Sequence, residues 1–103
     1  MKGMNEMLRQ AQIMQKKLTA VQEGLKAKQV EAASGGGMVA VTANAAQEIL
    51  SVRIDPTVAG SGDVEMLQDL VLAAVNEALK KAKEVMEQEM GQVTGGMRIP
   101  GMF

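Results

Sequence analysis

The sequence contains no cysteine and no histidine. Without thiols there is no disulfide to brace the fold and no thiolate chemistry. Without imidazole the commonest general base is missing, and so are the usual zinc ligands. Tyrosine and tryptophan are absent too, which leaves Phe103 as the only aromatic residue. A core without rings has to be assembled from Leu, Val, Ile, Met and Ala, side chains better suited to a thin helical interface than to a thick interior. No apolar run approaches the ~20 residues that a membrane-spanning helix needs. Arg9, Gln10, Gln12 and Gln15 interrupt the N-terminal stretch where a signal peptide would carry its apolar segment. The missing cysteine fits a reducing cytoplasm.

An excess of charge is lacking as well. Eleven basic and 12 acidic residues leave a net −1 over 103 residues, a length that makes one domain. The two signs are nevertheless separated. Between Met1 and Lys28, six basic residues (Lys2, Arg9, Lys16, Lys17, Lys26, Lys28) face only Glu6 and Glu23, a net +4. Between Asp63 and Met90, Lys80, Lys81 and Lys83 face seven acidic residues, a net −4. A basic arm on an acidic body is a modest sign of a charged partner.

The stretch Glu65–Met90 organises the chain. It contains Leu70-Val71-Leu72-Ala73-Ala74-Val75, six apolar residues in a row, but its flanks are good helix formers and the helical spacing continues past the run. Two apolar lines follow, one through Leu67, Val71, Ala74, Ala78 and Val85, the other through Leu72, Val75, Leu79, Ala82, Met86 and Met90. A helix on one sheet needs a single stripe about 100° wide. Two stripes call for cover on two sides, and in so short a chain the simplest second cover is another copy of itself. Asp63 is placed as the N-cap, and Gly91 as a left-handed stop.

Met1 to about Lys28 predicts one long helix, with Asn5 as a candidate cap and an earlier start as the alternative. Its apolar positions, Met4, Met7, Ala11, Met14, Leu18, Val21 and Leu25, alternate steps of three and four, the rule of a coiled-coil seam. The seam should pack on the C-terminal half of Glu65–Met90, in the same chain or its copy. On the opposite face Lys2, Arg9 and Lys16 recur every seven residues, ~10 Å apart along the axis. On the residues alone, a binding stripe and a plain solvated face are equally good accounts of that row.

Between the helices lies a β region. Gln29–Ser34 and Met38–Ala43 predict strands joined by Gly35-Gly36-Gly37, and Glu48–Ile54 a third strand after a turn at Asn44–Gln47. Alternation puts Val39, Val41 and Ala43 on one face of the second strand. In the third it puts Leu50, Val52 and Ile54 together, with Ile49, Ser51 and Arg53 opposite. Asp55-Pro56 stops that strand, and Thr57–Gly62 reads as a loop. The fold class is therefore α+β in the order α-β-β-β-α, a single domain over 1–90 with a Gly/Met/Pro-containing tail over 91–103 that is expected to be mobile. Three strands alone are marginal in water, which again asks for a second copy. The expected dimer interface is Val39, Val41, Leu50, Val52, Ile54, Leu70, Leu72 and Val75.

Nothing points to catalysis. Ser34, Ser51 and Ser61 have no histidine to activate them, and turn and cap roles account for Asp55 and Asp63. Gly35-Gly36-Gly37 lacks the Lys-Ser/Thr of a phosphate loop and enters a strand. Five of the ten methionines (Met4, Met7, Met14, Met86, Met90) fall on apolar helix lines, so packing explains them better than copper binding. No catalytic residue, metal, cofactor or small-molecule substrate is expected. Lys80, Lys81 and Lys83 suit the negative end of a helix dipole.

Ala11-Gln12-Ile13-Met14-Gln15-Lys16-Lys17-Leu18 resembles the first helix of the YbaB/EbfC family of bacterial nucleoid-associated proteins. The pieces Gly35 to Asn44, Val52-Arg53-Ile54-Asp55-Pro56, Glu65 to Val71, Ala74 to Ala78 and Thr94 to Phe103 are similar to it as well, in the same order and over nearly all of the chain. The resemblance implies a cytoplasmic, nucleoid-associated homodimer shaped like tweezers. Its helical arms would bind duplex DNA with weak sequence preference, and its role would lie in nucleoid organisation and gene regulation. Carried onto this chain, the DNA contacts would be Lys2, Arg9, Lys16, Lys17 and Lys26, with Lys80, Lys81 and Lys83 from the second helix and Arg98 from the tail. Two departures stand out. Ala40 occupies a position usually basic in the family, and Asn44-Ala45 replaces Asn-Gly, which disfavours a type I′ turn. The rival from another class is an adaptor whose exposed seam grips a protein, a reading that the near-neutral charge favours.

Overall fold

The computed structural model describes residues 2–93, with side chains over 3–91. In chain order it comprises helix α1 (Lys2–Ala27), strand β1 (Gln29–Ser34), a tight 3-10 turn (Gly35–Gly37), strands β2 (Val39–Asn44) and β3 (Ile49–Ile54), a short helix α2 (Pro56–Ala59) and helix α3 (Val64–Val93). The strands form one antiparallel sheet in the order β1-β2-β3. This is the α-β-β-β-α order that the sequence predicts, with two local corrections. Asp55-Pro56 does more than stop a strand. The Asp55 carboxylate accepts the Thr57 N–H at 2.8 Å and Pro56 presets the first helical residue, so one turn of helix forms where a loop is expected. At the other end α3 passes through Gly91 to Val93 instead of stopping there. Met86, Met90 and Gly91 are half-buried, and that packing outweighs the ~1 kcal/mol by which glycine weakens a helix. Residues 94–103, and with them Arg98 and the rest of the expected mobile tail, lie outside the described residues.

The core lies between α3 and the first two strands. Ala74 and Ala78 of α3 are fully buried against Ala32, Val39, Val41 and Ala43, with Leu67, Leu70, Val71 and Val75 packed around them. Alanines at the contact let the helix axis come close to the sheet. Val39 and Val41 are the largest fully buried side chains, each burial stabilising by ~1.5–3 kcal/mol. Being wholly covered within one chain, these two have no surface to offer a partner, which corrects their expected place in a dimer interface. Ser34 Oγ donates to the Leu70 carbonyl at 2.6 Å and Lys81 Nζ to the Glu31 carbonyl at 2.9 Å, so α3 runs antiparallel to β1. Asp63 caps α3 as expected, its carboxylate accepting the Met66 N–H at 3.0 Å.

α3 does not cover β3. Val52 pairs with Val41 and Ile54 with Val39, which puts both on the helix side of the sheet. Val52 is nonetheless 45% exposed. A bulge corrects the simple alternation. Thr42 pairs with Ser51 but Ala43 with Ile49, so Leu50 is the extra residue and Ile49 sits opposite Ala43 rather than beside Ser51 and Arg53. The hairpin before β3 is not a type I′ turn. Gln47 alone takes a positive φ, 64°, after Ala45 and Ala46, a three-residue loop that needs no glycine at position 45.

Candidate nucleic-acid interface

The loop that replaces Asn-Gly also fixes the base of α1. The Ala45 N–H donates to the carbonyls of Leu25, at 3.1 Å, and Lys28, at 2.9 Å, satisfying acceptors that the helix end leaves open. Ala45 is fully buried, and Asn44, also buried, exchanges hydrogen bonds with Glu48 through its amide and the Glu48 backbone N–H. Lys28 forms an ion pair with Glu89 of α3 beside this joint. Lys28, Ala45 and Glu89 are positioning residues absent from the sequence-based site. The pairing of Ala45 with the helix end has no sequence signal beyond the missing glycine.

From that base α1 leaves the body. Leu25 is buried and Leu18 and Val21 are half-buried, while every residue from Gly3 to Lys17 is exposed. The molecule is accordingly 71 Å long and 21 by 17 Å across. The expected packing of the seam on α3 thus holds for its C-terminal third alone within one chain. Met4, Met7 and Met14 stay 60%, 73% and 51% exposed.

At ~100° per residue, Arg9 and Lys16 lie within ~20° of one another and diametrically opposite the Met seam, with Lys2 in line as the first helical residue. Lys17 lies a quarter-turn round, and Lys26 is on another side, nearer the body. Arg9 has one acidic neighbour, Glu6 at 3.9 Å, in a pair too exposed to hold it firmly. Among the described residues Lys16, Lys17 and Lys26 have no ion pair. The lysines of α3 differ. Lys81 is tied to the Glu31 carbonyl. Lys80 and Lys83 are exposed, but Glu84 and Glu87 follow them at i+4, so that face is close to neutral. The structure therefore does not merge the α3 lysines with Arg9 and Lys16 into one basic surface. The outer sheet face, where Ala40 stands, carries Arg53 with Glu31 4.0 Å away.

A second feature is apolar. Where α3 stops short of β3, Ile54 forms the floor and Leu67, Gln68, Val71, Leu72 and Val75 the wall of an open cleft of about 440 Å³. Leu72 is 60% exposed. Ile54, Leu72 and Val75 belong to the expected dimer interface and do come together here, while Leu70 is half-buried on the β1 side of α3, against Gly35. Leu67 and Val71 line it too, and their spacing with Val75, at i+8 and i+4, is the signal in the sequence that groups them on one helix face. Among the described residues no group of acidic side chains could hold a metal ion, and no helix is long and apolar enough to cross a membrane.

Comparison with known proteins gives these features a context. A nucleoid-associated protein of Alkaliphilus metalliredigens is 51% identical over 101 residues, covering 98% of this chain and 89% of its own length. One of Pelotomaculum thermopropionicum is also 51% identical, over 98% of this chain and 96% of its own. The fold is similar to the crystal structure of an uncharacterized protein from Helicobacter pylori, with a TM-score of 0.78 and 26% identity, covering 86% of this chain and 94% of that one. The family model for the YbaB/EbfC DNA-binding family, a family of binding proteins and not of enzymes, matches residues 1–97. By fold, by sequence along its whole described length and by the exposed basic helix, this chain belongs to the YbaB/EbfC DNA-binding family.

Proposed function

We propose that two copies of this chain bind duplex DNA through phosphate contacts made by their α1 helices, with low sequence preference. In this reading the protein helps organise the nucleoid in the cytoplasm and influences gene expression there. The observation that carries it is the projection of α1: Arg9, Lys16 and Lys17 stand exposed on a helix that has left the acidic body. Family membership and the names of the relatives support the same partner. No aromatic residue is available on α1 to stack on bases, so contacts fall to the backbone, which positions a protein without reading sequence.

Pairing of two chains is supported by the open cleft at β3. Apart from Gln68 its lining residues are apolar, exposed Val52 shares the face of β3 that carries Ile54, and β3 is an uncovered edge strand. A two-fold arrangement would lay floor against floor and wall against wall, the self-complementarity such an interface requires. Two copies would present about six to eight cations. With ~6 phosphates neutralised, the logarithm of the binding constant should fall against log salt with a slope of about −5. Titration of a labelled duplex at several salt concentrations tests this, and salt-independent binding would overturn it. The bare Met seam favours the adaptor reading instead. A pull-down that returns one stoichiometric protein and no nuclease-sensitive nucleic acid would decide for it.

A further inference from the structure

We infer that the bare Met seam of α1 is the docking surface for the chain's own C-terminal segment, residues 97–103. The seam continues an interface that already exists. Leu18, Val21 and Leu25 share one face of α1 with Met4, Met7, Ala11 and Met14, and the first three are covered while the last four are not. The cover is α3, which runs against α1 in the opposite direction. Lys81 reaches Glu31 in β1, Glu89 reaches Lys28 at the base of α1, and each further residue advances ~1.5 Å toward the α1 N-terminus. Val93 lies four residues, ~6 Å, past Glu89, so the chain leaves α3 beside the last turns of α1, near the level of Gly24 and heading toward the bare part of the seam.

The residues that follow match the vacant surface in chemistry and reach. They read Thr94-Gly95-Gly96-Met97-Arg98-Ile99-Pro100-Gly101-Met102-Phe103. Gly95-Gly96 and Pro100 disfavour a continued helix. Met97, Ile99, Met102 and Phe103 are apolar, and Phe103 carries the chain's only aromatic ring, a favourable partner for thioethers. From the level of Gly24 to Met4 is ~30 Å along the helix, and ten nearly extended residues span up to ~33 Å, so the segment reaches the far end of the seam. Charge selects this occupant over a second copy's arm. Two α1 helices laid side by side would bring together two helices of net +3, whereas the segment from Thr94 to Phe103 contributes only Arg98 among its side chains. This docking leaves the basic face open and does not depend on what that face binds.

The full-length chain treated with dilute hydrogen peroxide gives the first test, with methionine oxidation followed by peptide mass spectrometry. Met38, 43% exposed in the turn before β2, is the internal reference. Oxidation follows exposure, so Met7 and Met14 should react at least about threefold more slowly than Met38, and Ile99→Asp with Phe103→Asp should bring them level. Equal rates in the unaltered chain would overturn the proposal. Protection that survives the double substitution would also overturn it and assign the seam to another occupant. Because the chain has no cysteine, Ala11→Cys with Ile99→Cys allows a second test by mild oxidation. The expected product is an internally bridged single chain. A bridged pair of chains as the main product would place the segment on a partner's arm and overturn the assignment to its own.

Discussion

α1 and α3 are both long helices, 26 and 30 residues, and both carry lysines and methionines, yet they spend those residues differently. α3 buries its small residues on the sheet, and its lysines are bonded to a backbone carbonyl or followed by glutamates one turn on. α1 is anchored at its last turns by the Ala45 N–H and by Lys28 with Glu89, and beyond Leu18 nothing described touches it. The difference teaches that a cation's availability depends on its surroundings more than on its number. Three lysines on α3 add little field, because acids share their surface, whereas Arg9, Lys16 and Lys17 have one acidic neighbour among them.

Reversing charge on the arm should break the contrast most sharply. Arg9→Glu with Lys16→Glu is expected to lower duplex affinity at least about 100-fold, since each copy loses two phosphate contacts and gains two repulsions. Thermal unfolding should stay within a few degrees of the parent, because both side chains are exposed. Wild-type affinity measured by fluorescence anisotropy would place the interface elsewhere. Next in size is Leu72→Asp, which puts a charge into the cleft at β3. Sedimentation should show single chains at low micromolar concentration, and duplex affinity should drop by about tenfold or more as the two arms lose their shared attachment. A stable pair in that variant would show that this cleft is not the interface.

Substitutions in the body test its packing rather than binding. Ala78→Leu forces three extra carbons between α3 and the sheet at a fully buried position, and overpacking of this kind costs ~1–3 kcal/mol in a denaturant titration. Gly35→Ala should cost about 1 kcal/mol or more, because Gly35 has φ of 59° and an added Cβ would lie 2.8 Å from Leu70 Cδ2. The smallest expected effect sharpens the comparison most. Lys80→Ala with Lys83→Ala should change duplex affinity by less than about threefold, since neighbouring carboxylates already offset these charges. A loss equal to that of the arm variant would mean that α3 shares the interface after all.

Much of this fold is legible in the residues. The three–four spacing from Met4 to Leu25 predicts α1, β-branched alternation predicts β2 and β3, and Asp63 predicts the start of α3, because each of these signals is local. Local signals fail where distant residues decide. Gly91 ought to end a helix by its own propensity, but packing around Met86 and Met90 carries α3 past it. Strict alternation fails at Leu50 because a bulge is a property of two strands. Val39 and Val41 have the pattern of an interface, and only the position of α3 shows that they are consumed inside one chain. The candidate site divides in the same way. Arg9 and Lys16 are legible from their sevenfold spacing, as is the offset of Lys80 and Lys83 by Glu84 and Glu87 at i+4, whereas the tie of Lys81 to the Glu31 carbonyl is visible only in the fold.

The order of residues by itself determined which segments are helix and strand, which face of α1 is basic and which apolar, and that no thiol or imidazole chemistry is available. Those properties follow from periodicity and composition, which are fixed before the chain folds. Tertiary structure decided which of two similar apolar faces is covered, where α1 leaves the body, and which cations remain unpaired. Burial and pairing depend on what a distant part of the chain brings to the same place, and no local pattern records that.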